Sequence, residues 1–284
     1  HAISPITNII ATKIKAAGKD YVLVNIDFSQ DIYQKVLAYD EETATEKETK
    51  EYEKLAAEYG IKSAIAKQYN LSSYPSIFLA TADGFIITQL EYYEDLDTLQ
   101  TMIERVANLK SSADEINTLS AKVKSSEGTE RVKAIDALYE ATKVSYRITL
   151  NSLVKEVPEL DPNNTTGLLG KYEMQICYID AIELAAVQDM QGASKIFENA
   201  AENGHMSLEE KQEAYYTGAY VLTSEQDFDF DRILTLLEKA YNVYPEGSHA
   251  EDIKNTLEGV KQMQQKVLAE SSAAAEAPAQ AVQE

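Results

Sequence analysis

The stretch YPSIFLATADGFIITQL constrains the fold of this chain more than any other part of its sequence. Residues 76–80 and 85–90 are apolar runs on either side of the dipeptide Asp83-Gly84. An Asp-Gly pair between two such runs favours a tight β-hairpin turn. Pro75 stands directly before the first run, although proline is normally kept out of a buried strand because it lacks an N–H group. The sequence therefore predicts a β-hairpin that begins at a specified proline corner.

The segments around the hairpin predict the order α-β-α-β-β-α over residues 1–109. Isoleucines spaced three or four residues apart predict a helix over 3–17, and YVLVNIDF at 21–28 indicates a buried strand. Helical patterns also occupy residues 52–71 and 94–108. The first part of the chain is thus predicted to be an α/β domain.

From about residue 112 onward the sequence carries no strand signal. A long amphipathic helix is predicted over 131–160, ended by Pro158, and four more helices follow to about residue 267. The low-complexity end predicts a disordered tail. The expected domains are an α/β domain, an all-α domain and the tail, at residues 1–110, 111–268 and 269–284.

Charge and cysteine content exclude several classes of protein. The net charge is -21, which argues against binding to nucleic acid or to an anionic membrane, since both require a basic surface. No run approaches the roughly 20 apolar residues of a membrane span. The single cysteine, Cys177, cannot form an intramolecular disulfide or a thiolate zinc site, and its apolar helical context predicts a small buried side chain.

No catalytic, cofactor or metal motif is recognisable in the sequence. It has no glycine-rich phosphate loop, nucleophile elbow or His-Glu-x-x-His pattern. His1, His205 and His249 are far apart and are expected to be surface or capping residues. In EQDFDFDR, Asp229 or Asp231 is expected to cap a helix. We therefore predict no catalytic residues, no cofactor and no metal.

Three segments of residues 1–109 resemble the thioredoxin-fold superfamily: VLVNIDF, AKQYNLSSYPSIFLATADGFI and the helix over 94–108. The resemblance implies that Pro75 is the family's cis-proline. It also implies a substrate-facing groove at that corner, in which Tyr74 offers backbone hydrogen bonds to an extended substrate. The implied binding residues are Ser72, Ser73, Tyr74 and Pro75.

The chain departs from that family because it lacks the Cys-x-x-Cys motif and the central strand before it. Thiol–disulfide exchange requires both thiols, so the given chain is not expected to be a redox enzyme. Three explanations stay open. Either the chain, which starts at His1, was trimmed from a longer form that carries the motif, or a partner chain supplies the strand, or residues 1–20 fold differently in a degenerate member.

The helical part resembles tetratricopeptide repeats. Leu237, Ala240 and Pro245 have the spacing of the second half of such a repeat, and Phe197 and Ala200 match the first two about 40 residues earlier. The spacing is not the family's 34 residues, which leaves a generic helical bundle as the alternative. The resemblance implies stacked helix pairs with a concave surface for partners.

The sequence favours a redox-inactive, thioredoxin-like protein that binds or scaffolds a protein or peptide partner. One alternative is a thiol–disulfide oxidoreductase whose Cys-x-x-Cys precedes residue 1, and another is a structural component of a bacterial envelope assembly. The favoured location is periplasmic or secreted, and the alternative is cytoplasmic. Cysteines upstream of His1 would distinguish the oxidoreductase from the binding protein.

Overall fold

The computed structural model describes residues 26, 30–41, 43–71, 76–90, 99–224 and 228–276. These residues fall into two compact units. The first takes the residues up to 126 together with 134–150, and the second takes 127–133 together with the residues from 151 onward. The helix that contains residues 128–141 therefore contributes to both units.

The first unit contains helices and one β-hairpin. Its elements are α1 Gln30–Leu37, α2 Glu46–Gln68, β1 Ile77–Ala80, β2 Ile86–Leu90, α3 Leu99–Asn108, α4 Lys110–Ser125, most of α5 Gly128–Ala141, and a 3-10 helix Val144–Leu150. A capping box starts α2, in which Thr45 accepts from the Glu48 backbone N–H and Glu48 accepts from that of Thr45. At the other end of α2, the Tyr69 hydroxyl donates to the Gly84 carbonyl oxygen at 2.9 Å and so joins the helix to the hairpin.

The predicted hairpin is confirmed. Strands β1 and β2 pair antiparallel, and Gly84 has a φ of 85°, a left-handed conformation that favours glycine. Asp83 accepts from the Ser120 hydroxyl at 2.5 Å and from Lys124, which fastens the turn to α4. These two hydrogen bonds hold the pKa of Asp83 below its usual range. Strand β2 packs on α4, and the buried side chains of these two elements include Ile86, Ile87, Leu90, Ile116 and Val123.

The prediction of an α/β thioredoxin-like domain is wrong. The part of the chain that the structure describes is mostly helical, and its only sheet has two strands. A thioredoxin fold requires a central sheet that also includes the predicted strand over 21–28. Of that strand only Ile26 is described, and it is not in a strand. A hairpin followed by a helix is a local arrangement common to many folds, so it does not determine a central sheet.

In the second unit the described residues form helices and the connections between them. It contains the start of α5, then α6 Asn151–Leu160, α7 Leu169–Ala186, α8 Met190–Asn203, α9 Leu208–Leu222, α10 Phe230–Val243 and α11 Ala250–Glu276. Each helix from α6 onward packs on the next one. Short connections between them make neighbouring helices antiparallel. Five helices thus follow Pro158, where four were predicted, and α11 continues to Glu276.

The single long helix predicted over 131–160 is divided into three segments. Helix α5 ends at Ala141, the 3-10 helix takes 144–150, and α6 ends at Leu160 with Pro158 inside its last turn. Thr142 turns its hydroxyl back onto the Leu138 carbonyl oxygen at 2.7 Å. The Thr142 N–H also donates to the Leu138 carbonyl oxygen, at 3.1 Å, so the helical bonding pattern continues to the residue after Ala141.

None of the helices in the described ranges is both long enough and apolar enough to span a membrane. This finding agrees with the prediction that the chain has no membrane span.

Candidate binding groove

The four predicted binding residues, Ser72, Ser73, Tyr74 and Pro75, lie outside the described residues. The hairpin that follows them is in place, but the groove predicted at this corner stays a prediction. The candidate site in the structure lies in the second unit, where the sequence predicted no individual site residue.

Two helix pairs, α7/α8 and α9/α10, repeat the same pattern of burial. Met174, Cys177 and Ala181 of α7 are buried, and so are the residues 38 positions later, Gln212, Tyr215 and Ala219. In α8 and α10 the interval is 40: the helices begin at the capping residues Asp189 and Asp229, and Phe197 and Leu237 are both buried. Equivalent positions can therefore be compared between the pairs. The expected capping role of Asp229 is confirmed, since it accepts from the Arg232 N–H at 3.0 Å.

Two contacts between the pairs show that α7 and α9 run parallel. Glu173 of α7 accepts from the His205 N–H just before α9. Five positions further along α7, the Tyr178 hydroxyl donates at 2.8 Å to Glu213 of α9, which is eight positions after His205. Helices α8 and α10 consequently run parallel to each other on either side of α9. The surface between α8 and α10, over α9, is equivalent to the surface between α6 and α8, over α7.

The surface between α8 and α10 is closed by side chains of the chain itself. Glu198 of α8 accepts from the guanidinium of Arg232 and from Lys239 Nζ, the latter at 2.8 Å, and Lys239 also donates to Glu202 at 2.6 Å. Beneath them, the Tyr215 ring of α9 lies with its centroid 5.5 Å from Lys239 Nζ. The hydrogen bond from Arg232, assisted by Lys239, lowers the pKa of Glu198.

The equivalent surface between α6 and α8 is an open groove of about 720 Å³. Its walls are Pro158 at the end of α6 and Ile196, Asn199 and Ala200 on α8, with Gly204 at one end. Its floor is α7, through Glu173, Ile176 and Cys177. We call this feature the α6–α8 groove. Its lining is mainly apolar.

The groove is open because three residues that close the other surface are replaced at the equivalent positions. Cys177 stands where α9 has Tyr215, so the floor lacks an aromatic ring. On α8, Asn199 stands where α10 has Lys239, and Gly192 stands where α10 has Arg232. Neither replacement can supply the cation that ties α8 to α10.

A fixed carboxylate gives the groove its electrostatic character. Glu173 accepts from the His205 N–H at 2.6 Å, and its Oε1 lies 3.0 Å from His205 Nδ1. A Cβ atom at Gly204 would overlap the Glu173 carboxylate, so the carboxylate packs directly on the turn after α8. Glu173 is the only charged residue among those that line the groove. The turn after α8 therefore holds the Glu173 carboxylate in place.

Cys177 is buried on the floor of the groove, and its Sγ lies 3.9 Å from the Ile196 carbonyl oxygen. Burial raises the pKa of its thiol to about 12, and the charges of Asp180 and Glu173 add to the rise. The reactive species of a thiol is its thiolate, which is scarce at neutral pH under these conditions. Cys177 is thus the small buried side chain that its context predicted.

We expect iodoacetamide to alkylate Cys177 at least about tenfold more slowly in the native protein than in the urea-unfolded chain at the same pH, because both burial and the raised pKa oppose reaction. The loss of free thiol, followed by mass spectrometry, measures both rates. Equal rates would show that the thiol is as exposed in the native protein as in the unfolded chain and that its pKa is not raised, contrary to the structure.

A second feature of this unit is the position of its exposed large hydrophobic side chains. The described residues of this unit include eight exposed large hydrophobic side chains. Leu208 lies at the start of α9, and the other seven lie near the ends of α7 and α9, just before α10, or on the second half of α11. Gln264 of α11 donates to Asp231 at 2.8 Å, which places these segments at the same end of the unit. We call this the apolar end: Ile182, Val187, Tyr220, Phe228, Met263, Val267 and Leu268.

No group of three or more His, Cys, Asp or Glu side chains in the described ranges could hold a metal ion. His205 lies against Glu173, and His249 is exposed.

Comparisons with known proteins relate the second unit to a family without assigning an activity. Residues 168–266 match a family model described as an uncharacterised protein C-terminal domain. A Treponema pallidum (strain Nichols) protein, described as an uncharacterized protein, is 22% identical over 190 residues, which is 67% of this chain and 63% of that protein. The chain thus spans less than two thirds of the relative's length. No solved structure matches the chain.

Proposed function

We propose that this chain is a protein-binding module and that a segment of the partner occupies the α6–α8 groove. The observation that carries this proposal is the difference between two equivalent surfaces. One is closed by Tyr215, Arg232 and Lys239, and the other is open and lined by apolar side chains. Stacked helix pairs commonly present such surfaces to partners.

The oxidoreductase alternative loses its support. It depended on a thioredoxin fold, which the described residues do not form. A binding role requires neither a nucleophile nor a cofactor.

A structural role in an assembly is the second candidate, and the apolar end favours it. Exposed apolar side chains gathered in one region mark interaction surfaces more often than the same residues scattered singly. If this role is the main one, changes at the apolar end will disrupt assembly, whereas changes in the groove will not.

Site-specific photo-crosslinking in cells of the source organism tests the proposal. A benzophenone amino acid at Asn199, on the groove wall, is expected to give one discrete adduct with a partner protein. The same amino acid at Glu258, exposed on α11, serves as the matched control and is expected to give no such adduct.

A groove-filling substitution, Ala200→Phe, is expected to abolish the adduct from position 199 because it occupies the space of the partner segment. Circular dichroism of this variant establishes that the helices are retained. An adduct that persists in the folded Ala200→Phe variant would contradict binding in the groove.

A further inference from the structure

An apolar stripe on α11 packs this helix against the rest of the second unit. Ile253 is buried in the core shared by α7 to α11, and Leu257 and Val260 pack against that core. Seven residues after Val260, on nearly the same side of the helix, the stripe continues with Val267, which is exposed. The stripe therefore runs beyond the core that its first half covers.

The second half of α11 projects past the start of α10. Lys261 pairs with Glu238, and Gln264 donates to Asp231, the second residue of α10, so the two helices run antiparallel. The projecting segment, residues 266–276, consequently extends about 16 Å beyond the start of α10. All of its described side chains are exposed. Packing of an apolar face supplies most of the stability of a helix in a protein, so this segment is expected to have a packing partner.

The apolar end is large enough to form a stable interface. Its seven side chains are between 43% and 71% exposed. Together they offer about 700 Å² of accessible surface, close to the roughly 800 Å² that each partner buries in a stable complex. The largest apolar patch of a typical monomer is smaller, about 300–600 Å². Apolar side chains alone can thus supply most of the area that a dimer requires.

We propose that two copies of this chain pair through their apolar ends, and that the projecting segment of each copy lies across the apolar end of the other. A two-fold dimer uses the same surface on both copies, so that surface must be self-complementary. The apolar end meets this condition because it combines a projecting helix with the apolar surface at its base. None of its residues lines the α6–α8 groove, so the inference does not depend on the proposed function.

Local charge favours this contact although the whole chain is acidic. The chain has 47 acidic and 26 basic residues, whereas residues 259–269 of α11 include two lysines and no acid. One of these lysines, Lys266, lies 3.9 Å from Glu270, and both side chains are mostly exposed, so their pairing is weak. A locally basic helix is attracted to the acidic surface of a second copy. Charges more than about 10 Å from the contact are screened at 0.1 M salt.

Sedimentation velocity of the full chain over a range of concentrations tests the inference. We expect a monomer–dimer equilibrium with a dissociation constant below about 100 µM. A chain that remains monomeric at concentrations several times higher would overturn the inference.

Two matched variants locate the contact. Leu268→Glu puts a carboxylate into the proposed interface and is expected to raise the dissociation constant at least about tenfold, because an unpaired charge is costly to bury. Leu208→Glu makes the same change at a side chain of similar exposure, 54% against 60%, but at the start of α9. It is expected to change the constant less than about twofold. Circular dichroism shows whether the helices are retained, and equal effects of the two folded variants would contradict a contact at the apolar end.

Photo-crosslinking between copies shows what the projecting segment touches. A benzophenone amino acid at position 268 is introduced into 15N-labelled protein, which is then mixed with unlabelled wild type so that adducts between copies are recognised by mass. We expect these adducts on residues of the apolar end or their immediate neighbours. Adducts confined to any other surface of the second copy would overturn the proposed pairing.

Discussion

Phe197→Ala is expected to lower the free energy of unfolding of the second unit by about 3–4 kcal/mol, the largest effect of any substitution considered. Phe197 is 1% exposed and lies in the core shared by α7 to α11. Its ring meets the Tyr178 ring edge-on with the centroids 5.3 Å apart. Truncation removes both the buried surface and this aromatic contact and leaves a cavity that close-packed helices cannot easily fill.

Phe228→Ala is the matched control for that prediction. It is the same chemical change at a side chain that is 43% exposed, so the expected loss is about 1 kcal/mol or less. Urea denaturation followed by circular dichroism gives both values. Similar losses for the two variants would show that Phe197 is not part of a packed core.

Glu198→Gln is expected to lower the free energy of unfolding by about 2–3 kcal/mol. The Glu198 side chain is 11% exposed and is the common acceptor for Arg232 and Lys239. Removing its charge leaves two cations partly buried without their shared counter-ion. The expected loss is below that for a fully buried pair because these cations are 29% and 36% exposed.

Glu238→Gln is the control for Glu198, because Glu238 occupies the equivalent position on α10. Its carboxylate pairs with Lys261 at 2.8 Å, and the side chains of both residues are about half exposed. An exposed pair of this kind contributes about 0.5 kcal/mol or less. Equal losses in Glu198→Gln and Glu238→Gln would contradict a buried ionic network between α8 and α10.

The effect of Glu198 is also expected to depend on pH. The folded state lowers the pKa of Glu198 below its unfolded value of about 4.3, so its stabilisation is complete at neutral pH. As the pH falls below about 4.3 and through the lowered folded pKa, the carboxylate becomes protonated and the stabilisation disappears. The difference in unfolding free energy between wild type and Glu198→Gln should therefore shrink on acidification.

Local features were predictable from the sequence where short-range patterns determine them. Asp83-Gly84 between two apolar runs was sufficient for the hairpin, because the turn needs a positive φ that glycine readily adopts. The pattern of Phe197, Ala200, Leu237 and Ala240 likewise revealed that a helical unit recurs. The hairpin signal lies within a few residues of the turn, and the repeat signal comes from comparing two short segments 40 residues apart.

The thioredoxin-like fold could not be inferred safely from the same local signals. A central sheet depends on pairing between strands far apart in sequence, and no local pattern in residues 1–109 records that pairing.

The division of residues 131–160 was missed for a similar reason. Leu138 and Leu153 fit one apolar stripe, and the stripe gives no sign of the break after Ala141.

The groove was missed because it is defined by a difference between repeats rather than by a motif. Cys177 and Asn199 are unremarkable residues until they are aligned with Tyr215 and Lys239. That alignment requires the 38- and 40-residue intervals, which the burial of the helices reveals. The match between Phe197 and Leu237 was the available signal. Two residues further on, the same alignment pairs Asn199 with Lys239 and shows that α8 lacks the cation.

The affinity of the crosslinked partner, once purified, for two variants of the full chain tests the central claim most directly. Ala200→Phe fills the α6–α8 groove, and Tyr220→Ala alters the apolar end, where Tyr220 is 66% exposed. Binding in the groove predicts that isothermal titration calorimetry will show at least about a tenfold loss of affinity for Ala200→Phe and less than about a twofold change for Tyr220→Ala. The reverse pattern, with Tyr220→Ala defective and Ala200→Phe unaffected, would contradict it.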